Sequence, residues 1–289
     1  MYPIHLNLGF RIFYYYEGLY FLLAIAGAYL FAIRRLKEAK LRVEVLEDSL
    51  IWILVGALLA ARLCHFLFWD LQNFLADPMT FFHFWDGGLT ITGGLVGGVL
   101  AAVICFRFMK VDFWDYSAAI SPAVLLGQAI GRVGCFLNGD AWGIPTHLPW
   151  GVSEPRFGTF VPQFTADHTM PSSAWEWCVA KGFSDPGSLA TVPLHPTQLY
   201  ECLGDLILAG LVILLVRSLR LRQASLKQAI WLHLAGYSLL RFGLEFLHGD
   251  RDALVWAGMT ALQVGLLASG VVCAALFQMS GGVKAAYRG

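Results

Sequence analysis

The chain has 289 residues, of which 57% are hydrophobic and only 14% charged, and its 20 basic and 20 acidic residues cancel. A soluble domain carries about 25% charged residues, so the composition points away from a soluble protein and toward membrane spans. A neutral, charge-poor chain also lacks the basic stripe that a nucleic-acid partner requires. The cysteines at 64, 105, 135, 178, 202 and 273 form no CxxC and no Cys/His spacing of a zinc site. Buried small hydrophobes are their expected role, and only Cys178 falls in a polar loop.

The elements follow in chain order. Met1–Tyr16 lacks a basic n-region and an Ala-x-Ala site, so no signal peptide is expected. The first apolar run, 13–33, opens on Tyr14, Tyr15, Tyr16 and Glu17 and ends in Arg34, Arg35, Lys37, Lys40 and Arg42. That basic cluster marks a cytoplasmic end and puts the N-terminus outside. The second run, 50–69, contains Arg62 and His65. The third, 88–106, carries the overlapping pairs Gly93/Gly97 and Gly94/Gly98, which predict close helix packing.

The fourth run, 114–137, has Pro122 inside it, where a kink or break is expected. It ends on Gly127–Gly143, with an arginine, an asparagine and an aspartate among five glycines. Residues 138–194 hold seven prolines and no helical periodicity, and read as a small extracytoplasmic arm between the fourth and fifth helices. Trp142, Trp150, Trp175 and Trp177 would rest this arm on the bilayer interface. The fifth run, 196–216, begins His195-Pro196-Thr197-Gln198-Leu199-Tyr200-Glu201. The sixth, 229–247, carries Tyr237, Arg241 and Glu245, the last two four residues apart and so placed to pair. The seventh is 254–279.

The expected fold is therefore an all-α integral membrane protein, one domain over 1–289, with seven transmembrane helices and a cytoplasmic C-terminus. Thirteen of the 20 basic residues fall on its inside segments. In this topology Arg62, Thr92, Arg132, Asn138, His195, Glu201, Tyr237, Arg241 and Glu245 share the outer half. Ionisable groups at membrane depth mark functional sites. Three arginines among amide, hydroxyl and imidazole groups suit an anionic phospholipid headgroup, whose phosphate takes bidentate arginines.

The residues carry a resemblance. Gly131-Arg132-Val133-Gly134-Cys135-Phe136-Leu137-Asn138-Gly139-Asp140, with Trp142-Gly143, resembles the signature of the prolipoprotein diacylglyceryl transferase family. Trp85-Asp86-Gly87-Gly88-Leu89 with Gly93-Gly94-Leu95 is similar to that family's Trp-x-Gly-Gly and His-Gly-Gly-Leu element. His195–Glu201 matches its His-Pro-[Ser/Thr]-Gln-Leu-Tyr-Glu, and Tyr16-x-Gly18, Ala61-Arg62, Tyr237, Arg241-Phe242 and Glu245-Phe246 fit as well. The resemblance implies transfer of a diacylglyceryl group from phosphatidylglycerol to the lipobox cysteine of a preprolipoprotein, with release of glycerol phosphate, at a bacterial inner membrane. It implies Arg132, Arg241, Tyr237 and His195 as catalytic. It implies Tyr16, Arg62, Thr92, Asn138, Asp140, Gln198, Glu201 and Glu245 as substrate-binding. No metal or other cofactor is required.

Four positions depart from the family pattern. Thr92 replaces the histidine of His-Gly-Gly, Cys135 an asparagine, Asp140 a glutamate, and His248 an arginine, with Arg251 three residues on. Threonine is no base near neutral pH, whereas imidazole is. Three explanations compete: His195 or His248 supplies the base, or the arginines depress the thiol pKa without one; the chain is a paralogue with another acceptor; or it binds phospholipid without catalysis. A seven-span anion transporter is the remaining class, and the internal repeat such proteins often show is not visible here.

Overall fold

The computed structural model describes residues 5–7, 12–14, 16–68, 70–83, 88–156, 171–251 and 254–281, with side chains from Leu19 onward, Ile91 apart. Nine α-helices lie among the described residues: α1 Tyr16–Glu38, α2 Glu44–Phe68, α3 Leu71–Ala76, α4 Ile91–Phe108, α5 Phe113–Asn138, α6 Ser173–Ala180, α7 Thr197–Leu221, α8 Lys227–Glu245 and α9 Ala261–Met279. Two small antiparallel hairpins accompany them, β1 His5–Asn7 with β2 Ile12–Tyr14, and β3 Leu254–Trp256 with β4 Met259–Thr260. A short 3₁₀ turn covers Pro78–Phe82. Seven of the nine helices coincide with the seven apolar runs. Five of them, in α1, α2, α5, α7 and α9, are long and apolar enough to cross a membrane, and α4 is a shorter apolar helix. Large apolar side chains such as Phe21, Leu22, Trp52, Val96, Leu203, Leu214 and Val271 stand exposed on these helices. Apolar surface of that extent fits a hydrocarbon solvent.

Two local expectations change. The helix of the last run begins at Ala261, because Ala257 and Gly258 take left-handed conformations (φ +47° and +73°) and turn the chain into the β3–β4 hairpin. Thr260 then caps α9, with Gln263 completing the reciprocal capping box. Pro122 neither breaks nor ends α5, which continues through it to Asn138. Its ring is fully buried, and neighbouring elements re-satisfy the backbone a proline frees in such helices.

The chain forms two compact units, Ile33–Ser117 and Met1–Ala32 with Ala118–Gly289. In the first, α2 packs on α4 through small residues. A Cβ on Gly97 would stand 2.3 Å from both Ala60 Cβ and Gly56 O, and one on Gly93 2.6 Å from Ala60 O. Gly94 and Gly98 leave ordinary contact distances. Of the two glycine pairs in the sequence, Gly93/Gly97 is thus the tight face. Arg62 leaves this helix pair to bind backbone. Its guanidinium donates to the carbonyls of Thr80 (2.7 Å), His83 (2.9 Å), Phe81 (3.1 Å) and Gly88 (3.3 Å) and lies over the Phe66 ring. Gly88 has φ +72°, and a Cβ there would meet His65 and Arg62, so only glycine fits.

In the second unit, Leu125, Leu208, Val212, Val216, Leu219 and Ala229 join α5, α7 and α8 in one core. Close approach of α1 to α5 rests on Gly134, whose missing Cβ would lie 2.6 Å from Tyr20 Cβ. Replacing Gly97 by valine is expected to lower stability by roughly 3 kcal/mol through overpacking, whereas Gly98→Ala stays near the parent. Thermal unfolding in detergent, run on both variants, checks this.

Candidate active site

The site grows from the end of α5 and the start of α7, within one unit. Arg132, in the last two turns of α5, pairs with Glu201 of α7 at 2.8 Å between Nη2 and Oε1. Tyr237 of α8 donates its phenol proton to the same Glu201 oxygen at 3.2 Å. Three helices are thereby tied at one carboxylate that is almost wholly buried. One turn further along α8, Arg241 Nη2 stands 2.8 Å from Glu245 Oε2, the pair that their four-residue spacing anticipates. Tyr237, Arg241 and Glu245 therefore form one stripe on α8.

The loop after α5 is clamped by the first turn of α7. Thr197 Oγ1 donates to Ala141 O at 2.7 Å and Gln198 Nε2 to Asp140 O at 2.6 Å. These bonds hold Gly139 and Ala141 at φ +84° and +54°. For alanine such a conformation costs about 1–2 kcal/mol, so the clamp sustains a strained turn. Asn138 is buried at the helix end. The Asp140 carboxylate interacts with Cys135 and with Glu154.

His195 precedes α7 and sits against Gly143: a Cβ on that glycine would lie 2.7 Å from His195 Cβ. Its Nδ1 is 3.2 Å from Tyr200 Oη.

The structure thus brings Arg132, Glu201, Tyr237 and Asn138, Asp140, Gln198 and His195 onto the facing ends of α5, α7 and α8, with Arg241 and Glu245 next on α8. Arg62 and Thr92 belong to the Ile33–Ser117 unit. There Arg62 is committed to the carbonyls already described, and Thr92 is exposed on the first turn of α4. Tyr16 opens α1, and its side chain lies outside the described residues, as do Trp85, Asp86 and Gly87.

A set of buried polar atoms around this cluster has no hydrogen-bond partner among the described residues: Gln198 Oε1, Glu201 Oε2, Arg241 Nη1 and His248 Nε2. Buried polar atoms without partners cost about 1–3 kcal/mol each, and a bound group is one way such valences are filled. Asp205 adds both of its carboxyl oxygens. It is fully buried one turn below Glu201 and lies within electrostatic reach of Glu201, Arg132 and Tyr237. Its signal in the sequence is an acid inside an apolar span, four residues from Glu201. Among the described residues no group of three or more His, Cys, Asp or Glu side chains is placed to hold a metal ion.

The arm has its own core. Cys178 lies on α6, wholly buried with Ala174 and Leu194, and Trp142 and Trp177 pack on them. Burial pushes the Cys178 thiol up to about 11. Trp175 is buried under the Arg156 guanidinium at 4.4 Å and donates to Ser188 O. Of the four tryptophans expected at the bilayer interface, Trp142 and Trp177 pack on this core, Trp175 is buried, and Trp150 alone is exposed. Cys178 likewise leaves the polar loop expected for it because α6 carries it inward. Backbone bridges Pro145–Leu194, Val152–Leu194 and Pro155–Ala190 stitch the arm together.

Glu154 lies buried in the arm, its Oε2 without a partner among the described residues. Burial pushes its carboxyl from 4.5 up to about 7, and the Asp140 carboxylate adds to the rise. With a folded-state pKa above the unfolded one, stability is full below pH 4.5, falls as pH rises to about 7, and is level above. Glu154→Gln is expected to remove that fall and to exceed the parent by up to about 3 kcal/mol at pH 8. Thermal unfolding of both proteins between pH 4.5 and 8 checks the sign.

The family model described as prolipoprotein diacylglyceryl transferase matches residues 3–280. A phosphatidylglycerol–prolipoprotein diacylglyceryl transferase of Pseudomonas fluorescens is 31% identical over 268 residues, covering 91% of this chain and 87% of its own. Proteins of the same name from Methylococcus capsulatus and Pseudomonas syringae pv. tomato are each 29% identical, over 84% and 95% of this chain and 80% and 91% of theirs.

Proposed function

From the premise that this chain belongs to the prolipoprotein diacylglyceryl transferase family, we propose how its own residues perform that transfer. The chain is a transferase that moves the diacylglyceryl group of phosphatidylglycerol to the lipobox cysteine of a prolipoprotein. Seven helices (α1, α2, α4, α5, α7, α8 and α9) span a bacterial inner membrane with the N-terminus outside, a reading supported by the basic residues at their inside ends. The chain is then one membrane domain, and 138–194 is its extracytoplasmic arm.

Arg132 and Arg241 hold the phosphate of the lipid. The observation that carries this is Arg241 Nη1, a buried donor of a charged group whose other nitrogen faces Glu245 and which has no partner among the described residues. An anionic oxygen is the partner such a donor fits best. As the glycerol carbon–oxygen bond breaks, negative charge grows on the departing phosphate, and prepositioned guanidinium groups stabilise it. Glu201 and Glu245 orient the two arginines, and Tyr237 fixes Glu201. Gln198 and Asn138 supply uncharged donors and acceptors for the glycerol hydroxyls, and Asp140 shapes their loop. His195 completes the catalytic set, and the family resemblance adds Tyr16, Arg62 and the Thr92 position as lipid-binding residues.

Arg132→Ala is expected to lower transfer at least 100-fold while the protein stays folded in membranes. The measurement is mass spectrometry of a synthetic lipobox peptide incubated with purified protein and phosphatidylglycerol. A diacylglyceryl gain that survives undiminished in the variant would remove Arg132 from the mechanism. Thr92 favours a second reading, phospholipid binding without transfer. A wild type that binds phosphatidylglycerol yet yields product only after Thr92→His would establish it.

A further inference from the structure

Two imidazoles flank Gly143. On one side, Trp150 Nε1 donates to Tyr200 Oη at 2.7 Å. Tyr200 Oη also stands 3.2 Å from His195 Nδ1, and with two lone pairs it can accept from that ring as well as from Trp150. On the other side, Gly143 forms a backbone bridge with His248. His248 Nδ1 stands 2.9 Å from Asp250 Oδ1. A carboxylate accepts only, so Nδ1 carries the hydrogen and Nε2 keeps its lone pair.

That Nε2 is buried and has no partner among the described residues. His248 also stands at the exit of α8, its N–H donating to Glu245 O at 3.3 Å, so it leaves the same helix end that carries Arg241 and Glu245. Gly249 follows, and a Cβ there would press on the Trp142 ring at 2.8 Å. Imidazole position is therefore fixed from both neighbours and from its carboxylate partner.

We propose that His248, oriented by Asp250, is the base of this chain. The inference rests on the transferase reading above. In the step it describes, the acceptor cysteine passes its S–H proton to His248 Nε2. The sulfur pair forms the bond to the glycerol carbon. The carbon–oxygen bond to phosphate breaks, its electron pair staying on the phosphate oxygen held by the arginines. The imidazolium, stabilised by Asp250, then returns the proton to the phosphate monoester or to water. A thiol and a phosphodiester thus become a thioether and a phosphate monoester.

The test uses two acceptor peptides, one with cysteine and one with selenocysteine, whose selenol is already ionised at neutral pH. General-base catalysis contributes about 10²–10⁴-fold. With the cysteine peptide, His248→Gln is expected to lose at least 100-fold in kcat while binding of labelled phosphatidylglycerol is kept, and Asp250→Asn to lose about tenfold. With the selenocysteine peptide, His248→Gln is expected to recover to within about tenfold of wild type. Equal loss on both peptides, or full activity of His248→Gln on cysteine, would overturn the assignment. Failure of the wild type itself on both peptides would instead overturn the transferase reading, and the base with it.

Discussion

The buried contact between Arg132 and Glu201 is the constraint around which the functional end of the molecule is arranged. Two opposite charges removed from water lose several kcal/mol of solvation each, and their mutual attraction compensates only when geometry and further hydrogen bonds are good. Here the geometry is a 2.8 Å approach with a phenol on the same oxygen. Each partner comes from a different helix, so the pair fixes the spacing of α5, α7 and α8 at one level. Removing one partner would strand the other, which is why an ion pair in this setting constrains position more than it stabilises.

The arrangement is incomplete as a hydrogen-bond network. Arg132 satisfies one carboxylate oxygen of Glu201 and leaves the other bare, and Arg241 does likewise with one of its own nitrogens. Asp205 places a second acid beside the first, and neither of its carboxyl oxygens has a hydrogen-bond partner among the described residues. A network built for stability alone would close such valences. One that holds a charged, hydroxylated ligand leaves them open in the ligand's shape. Arg62 makes the contrast within the same chain: its guanidinium is taken up by four backbone carbonyls. The same side chain thus serves as a loop anchor in one unit and as part of an open polar cluster in the other.

The arm shows how a prolyl, irregular segment is given a defined shape. Its bridges are single residue pairs, too few to hold alone. The buried tryptophans, Cys178 and Leu194 supply the apolar centre, and Thr197 and Gln198 bind its first turn to α7. Gly143 then lets two histidines, His195 and His248, approach one segment of the chain, a proximity absent from the chain order.

The sequence by itself determined the helical class, the seven apolar segments and the family, because hydrophobic runs and local motifs depend only on neighbouring residues. It also carried the Arg241–Glu245 pair, since four residues of helix bring any such pair together. It did not reveal that Trp142 and Trp177 pack on a small core of the arm, because an aromatic near a span end reads the same whether it faces lipid or such a core. Asp205 escaped notice for a related reason: one acid in an apolar run has no meaning until its neighbours on other helices are known. The hairpin before α9, the tight glycine face of α4, the Arg132–Glu201–Tyr237 contact and the Asp250–His248 dyad beside Gly143 were decided by tertiary structure. Each depends on distances between residues far apart in the chain or on backbone angles that residue type alone leaves open.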